Sequence, residues 1–202
     1  MMQNKRKQKA LSRLGTVFVI LAGAAILVGM PLKTTAPAAD LLKVGLLEEP
    51  RTLNIWLASD AWSRKVLNQI YEPLYVREPK DLDLIPWLAE SEPSFDPENL
   101  AYTVRLRPAK WSDGSEFTSE DVAFTGRFIQ EFDVPRYSSK WDFISRIETP
   151  DEHTVIFYLK EPQAIFLSRT LTTPIVQKEE WEPIAEAARK TEKPLTTLLN
   201  HE

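Results

Sequence analysis

Leu106-Arg107-Pro108-Ala109-Lys110-Trp111-Ser112-Asp113-Gly114-Ser115-Glu116-Phe117-Thr118-Ser119-Glu120-Asp121-Val122 joins a strand, a turn and a helix start, and the rest of the chain reads outward from it. Just upstream, Tyr102, Val104 and Leu106 alternate with Thr103, Arg105 and Arg107, which gives an extended segment one apolar and one polar face. Asp113-Gly114 supplies the turn, because Gly accepts positive φ and Asp can bond its own backbone. Thr118 and Asp121 fit the Ser/Thr-x-x-acid opening of a helix, where the hydroxyl caps a free N–H and the acid faces the positive helix end. Val122, Phe124, Phe128, Ile129 and Phe132 then recur at roughly helical spacing and predict a helix running to about Phe132.

The chain has 202 residues, and an apolar share of 43% with 10% aromatic is enough for a real core in one or two domains. Lys5, Arg6, Lys7, Lys9 and Arg13 precede an uncharged run at 14–30, and Ala36-Pro37-Ala38 then offers a small-x-small cleavage site. That layout predicts a secretory signal peptide over 1–39 and a periplasmic or otherwise extracytoplasmic remainder, with an uncleaved membrane anchor as the alternative. Six of the 25 basic residues lie in this leader and none of the 29 acidic ones does, so 19 basic residues face 29 acidic ones beyond it. An acidic exported part argues against nucleic acid or anionic lipid as a partner.

Residues 41–47 form a short apolar run stopped by Glu48-Glu49-Pro50, which predicts a buried strand of the kind found in α/β layers. The stretch 51–62 is irregular and carries both Trp56 and Trp62, and a helix follows over 62–71 with Asp60 or Ser59 available as its cap. Further on, 144–148 and 154–159 read as two strands of a hairpin around 149–152, and 166–171 and 181–188 as two helices.

Catalytic chemistry lacks its parts. A serine or cysteine hydrolase needs a base beside its nucleophile, yet cysteine is absent and the only histidines are His153, in the predicted hairpin turn, and His201. There is no Gly-x-Ser-x-Gly elbow, no Gly-rich phosphate loop and no His-x-x-x-His pair. The acidic pairs Glu48-Glu49, Glu120-Asp121 and Glu179-Glu180 point apart on a strand or lie a quarter-turn apart on a helix, as solvated faces and caps do. The expectation is therefore a binding protein rather than an enzyme, with no catalytic residues, no metal site and no cofactor. Trp56 and Trp62 beside Ser59 and Asp60 give the mixture of aromatic wall and polar groups that small-molecule clefts use, although core packing explains either Trp equally well.

Lys-Trp-Ser-Asp-Gly-x-x-Phe-Thr-x-Glu-Asp-Val over 110–122 resembles the most recognisable segment of the bacterial family 5 extracellular solute-binding proteins, the peptide- and nickel-binding receptors of ABC importers. Ile70-Tyr71-Glu72-Pro73-Leu74, Pro86-Trp87-Leu88-Ala89-Glu90-Ser91 and Asp151-Glu152-His153-Thr154-Val155 are similar to three further family segments, in the family's order. One departure is Ile55, which stands where the family usually has Pro after Thr-Leu-Asn.

The resemblance implies an α/β fold of the periplasmic-binding-protein type II kind, comprising the first part of lobe I and its inserted subdomain, with the second lobe missing. On that reading 40–75 begin lobe I, 76–180 form the inserted α/β subdomain and 181–202 start the return. The family's Gly-Pro-Phe-like return segment is not in the sequence, so an N-terminal fragment is expected, residues 40–202 of which bind no peptide appreciably by themselves. Carried over by position, the ligand-binding residues fall on Ser59, Asp60, Ala61 and Trp62, with Tyr137 from the second subdomain. The implied partners are a small peptide or similar solute and the ABC permease subunits of the inner membrane, the receptor itself being a monomer. The alternative is a secreted non-transport interaction domain or a non-functional remnant.

Overall fold

β4, Ala101–Arg105, pairs antiparallel on both edges and organises the sheet: it lies between β3, Ser94–Asp96, and β6, Thr154–Leu159, and β5, Ile144–Asp151, flanks β6 to give the order β3-β4-β6-β5. The register sets Val104 opposite Val155 and Tyr102 opposite Phe157. Val104, Val155 and Phe157 are fully buried, so the period-two alternation read from the sequence has become the inner face of a sheet. The hairpin forms as expected, but β5 runs on through Thr149 and Pro150 to Asp151, with register shifts along the way, and only Glu152 and His153 are left in the turn. His153 is exposed.

The computed structural model describes residues 42–191, and the expectations for the leader, for residues 192–202 and for His201 lie outside them. Residues from Leu46 onward form a unit distinct from those before it, and the elements named here belong to that unit.

The helix after the corner, α2, spans Ser119–Glu131 and ends at Phe132 as its C-cap. It lies against β5 and β6. Phe128, Ile129 and Val122 are buried on it, and they join Trp141, Phe157 and Phe166 in one hydrophobic cluster. Fully burying a side chain of this size stabilises the fold by roughly 1.5–3 kcal/mol. The other elements are α1, Ala61–Leu67, the two-stranded ribbon of β1, Tyr75–Arg77, and β2, Leu84–Pro86, the short α3, Ser138–Trp141, a π-helical turn at Phe166–Thr170, and α4, Lys178–Thr191. No helix among the described residues is long and apolar enough to cross a membrane.

Of the buried strand expected at 41–47, the described residues 42–47 form none. Residues 42–47 are irregular, and Leu42, Val44 and Leu47 are 85%, 69% and 89% exposed. An apolar run becomes a strand only by pairing its N–H and C=O groups, and no strand among the described residues pairs with this one. The helix expected over 62–71 is likewise shorter, closing at Asn68, while the segment from Glu72 to Leu74 leaves it to meet the 171–175 stretch.

Candidate functional site

A chain of short-range hydrogen bonds shapes residues 52–63. Asn54 N–H donates to the Thr52 hydroxyl at 3.0 Å, and Trp56 N–H donates to the Asn54 side chain at 2.9 Å. The Asp60 carboxylate then accepts from Trp62 N–H at 3.0 Å and Ser63 N–H at 2.8 Å, and takes the Ser63 hydroxyl as well. Asp60 is thus the N-cap of α1. These bonds, the Ser63 hydroxyl's first, hold its carboxyl below the usual carboxylate range.

Two arginines secure the middle of this segment. Arg64 Nη1 donates to the Ser59 carbonyl at 2.7 Å, and Arg136 Nη1, from the connection after α2, donates to the Ala58 carbonyl at 3.0 Å. Ala58, Arg64, Arg136 and Lys140 line two adjoining hollows. The larger, about 590 Å³, adds Trp56, Ser59 and Pro135, and the smaller, about 100 Å³, adds Tyr137 and Thr172.

The aromatic residues beside these hollows are closely packed. Trp56 is 2% exposed and packs edge-on to Tyr137 at 5.6 Å and stacked on Phe128 at 5.1 Å. Its indole N–H is buried without an acceptor, the one such side-chain atom among the described residues. Tyr137 is also buried, which pushes its hydroxyl pKa up, and the Lys140 ammonium lies 5.1 Å from its ring centre. Lys140 is itself pushed down, first by burial and then by the neighbouring charges of Arg136 and Arg169.

Of the five residues expected to bind ligand, the structure brings Ser59 and Tyr137 to these adjoining hollows. Asp60 is engaged in capping, Ala61 is exposed, and Trp62 is half-buried under the Lys65 ammonium; none of these three lines either hollow. Arg64, Arg136 and Lys140 escaped the sequence reading. Nothing local indicates that residue 136 folds back onto residue 58, and the single available signal was the basic, aromatic composition of 135–141.

The Trp111 corner borders a separate open hollow of about 490 Å³ against α4. Its central acid is already committed: Asp121 accepts the Trp111 indole N–H at 3.2 Å, Thr118 N–H at 2.9 Å and Lys178 N–H at 2.8 Å. Gly114 has φ +92°, as the expected turn requires. Trp111 and Asp121 therefore act as a structural junction between the corner and the start of α4.

Residues 83–197 match the family model for bacterial extracellular solute-binding proteins, family 5, middle region. A Brucella ovis protein named as an ABC transporter peptide-binding protein is 37% identical over 116 residues, which make up 54% of this chain and 20% of that protein. The oligopeptide-binding protein AppA of Bacillus subtilis, solved in complex with a nonapeptide, superposes with a TM-score of 0.62 at 26% identity, covering 70% of this chain and 28% of its own. AgaA from A. tumefacien R10, solved with agropinic acid, gives a TM-score of 0.61 at 30% identity over 68% of this chain and 28% of its own. The fold is that of the type II periplasmic binding proteins over about 70% of the chain. The chain spans about a fifth of the length of the curated relative and just over a quarter of the solved ones.

Proposed function

Since the chain belongs to the bacterial extracellular solute-binding proteins, family 5, we propose that it acts outside the cytoplasm in the solute-capturing component of an ABC importer, taking a peptide or similar small solute. The observation that carries this reading is the hollow of about 590 Å³ at Trp56 and Ser59, large enough for a small solute and lined by apolar Trp56, Leu57, Ala58 and Pro135 together with the polar Ser59, Arg64, Arg136 and Lys140. The relatives named for or solved with a peptide, and the one solved with agropinic acid, support small solutes of this range.

The local bonds that fix 52–63 keep this wall in one shape, so a solute orders little of the chain when it arrives. Capture then depends on a second wall closing over the solute, and closure follows only as far as the solute prefers the closed form. The basic and then apolar leader supports export, and the ABC permease is the partner that receives the solute from a monomeric receptor.

Nuclear magnetic resonance titration of the 202-residue chain with a tripeptide tests this reading. The expected result is saturable movement of the Ala58 and Ser59 amide resonances at millimolar concentration, one wall being too little for micromolar affinity. If peptides and other small solutes leave those amides unmoved while shifting others elsewhere, or shift none at all, the reading fails.

A further inference from the structure

We infer that the adjoining hollows lined by Arg64, Arg136 and Lys140 form a subsite for a carboxylate of the bound solute, with Trp56 in the wall of the larger hollow and Tyr137 in that of the smaller. The assignment rests on the solute-binding reading and narrows it to organic anions.

Charge is the first ground. Beyond the leader the chain carries 19 basic residues against 29 acidic ones, yet this corner gathers three cations around one hollow, with the Arg169 charge acting on Lys140. None of the four joins an ion pair among the described residues, a state they share with other basic residues such as Arg51 and Arg105; what sets this corner apart is that Arg64, Arg136 and Lys140 line the same hollows. Asp60, the acid close by in sequence, is turned to Ser63 and the helix start. Like charges held together without a counter-ion raise each other's energy, and an arriving anion relieves that repulsion.

Free donor capacity is the second ground. A guanidinium carries five N–H donors, and Arg64 and Arg136 each spend one nitrogen on a backbone carbonyl. Those two bonds hold the side chains in place, and the remaining fork faces can take a carboxylate in the bidentate manner that arginine favours. Lys140 adds three more donors over the Tyr137 ring.

The third ground is independent of charge. Trp56, a residue of the same hollow, buries an indole N–H with no acceptor, and such a donor is costly to leave unmade. A rearrangement of this wall on binding that brings a solute oxygen to the N–H relieves that cost. The volume of about 590 Å³ and the apolar lining by Trp56, Leu57, Ala58 and Pro135 favour an organic acid over an inorganic anion.

The probe pair is glutarate and its neutral isostere glutaramide, titrated into the full chain while the Trp56 indole and the Ala58 and Ser59 amide resonances are followed. The expected result is that glutarate saturates at millimolar concentration, glutaramide does not, and rising sodium chloride weakens glutarate. Lys140→Gln should weaken glutarate by about fivefold, and Arg136→Gln with Lys140→Gln should remove measurable binding. Lys140→Gln removes no hydrogen bond from the fold, so an unchanged glutarate affinity in a variant with an unaltered melting temperature overturns the assignment. Glutaramide or a capped peptide binding as tightly as glutarate also overturns it, yet leaves the solute-binding reading standing. Inorganic phosphate binding as tightly as glutarate overturns the carboxylate class. If no solute of either charge moves these resonances, both the assignment and the reading fall.

Discussion

Trp111 donates its indole N–H to Asp121 at 3.2 Å across the strand-to-helix corner, and the same carboxylate receives Thr118 N–H from the helix start and Lys178 N–H from the opening of α4. One side chain, 5% exposed, therefore ties three segments together. Asp121→Ala leaves all three donors without their acceptor and should cost about 3–4 kcal/mol of unfolding free energy, while Trp111→Phe, which removes one donor, should cost about 1 kcal/mol. Urea denaturation of the two single variants and the double variant checks this. The double variant should lose less than the sum, because each single change removes the same bond.

Gly126 sits inside α2, where propensity alone favours alanine by about 1 kcal/mol. Packing decides otherwise. A Cβ there would lie 2.5 Å from the Trp141 ring and 2.6 Å from the end of Ile147. Trp141 cannot yield easily, since it is 1% exposed and its indole N–H donates to the Thr173 hydroxyl at 3.1 Å. Gly126→Ala should therefore lower stability by about 1–2 kcal/mol net, overpacking outweighing the gain in helix propensity. A thermal melt of Gly126→Ala at or above the parent's would show that the Trp141 wall gives way.

What the sequence made legible was local. Thr118 with Asp121, Asp113 with Ser115 and the positive φ of Gly114 all act within a few residues, and the corner formed where they placed it. Asp60 capped its helix for the same reason. Residues 42–47 form no strand because apolar composition signals only a capacity to be buried, while a strand also needs a neighbour that the pattern does not name. Of the two tryptophans that composition left open, Trp56 went into the core and Trp62 stayed half-exposed, a choice made by Phe128, Tyr137 and Trp181 from distant parts of the chain. The basic wall of the candidate site was hidden more deeply still, since the bond from Arg136 to Ala58 spans 78 residues.

Acid should weaken the fold within a narrow window. Asp113 is held down to about 2 from 3.8, first by the Gln177 side chain and then by Ser115. Glu120 is lowered first by the Thr149 hydroxyl and then by Lys178, and Glu131 first by the two bonds from Arg189. A carboxylate with a folded pKa below its unfolded one contributes its full stabilisation above the unfolded value and loses it as pH falls through the folded value. The melting temperature should thus hold level down to about pH 5 and fall between about pH 4 and pH 2. The triple variant Asp113→Asn, Glu120→Gln, Glu131→Gln should show a shallower fall over that range. An equally steep fall in the variant would assign the acid sensitivity to other groups.

Trp56 separates stability from binding. Its indole N–H has no acceptor, so Trp56→Phe removes a buried donor whose desolvation costs about 1–3 kcal/mol, and against this stands the lost packing of the larger ring on Phe128 and Tyr137. The two effects oppose each other, and the net change in stability should stay within about 1 kcal/mol, whereas Trp56→Ala should cost about 3–5 kcal/mol because it leaves a cavity in the core. A residue that only packed would show the same pattern in stability and no further effect. If the N–H serves the solute, Trp56→Phe should in addition weaken glutarate several-fold at unchanged melting temperature, since a site built to hydrogen-bond a group loses discrimination when the donor goes. Paired melts and titrations of the phenylalanine variant decide between the two roles, equal affinities assigning Trp56 to the core alone.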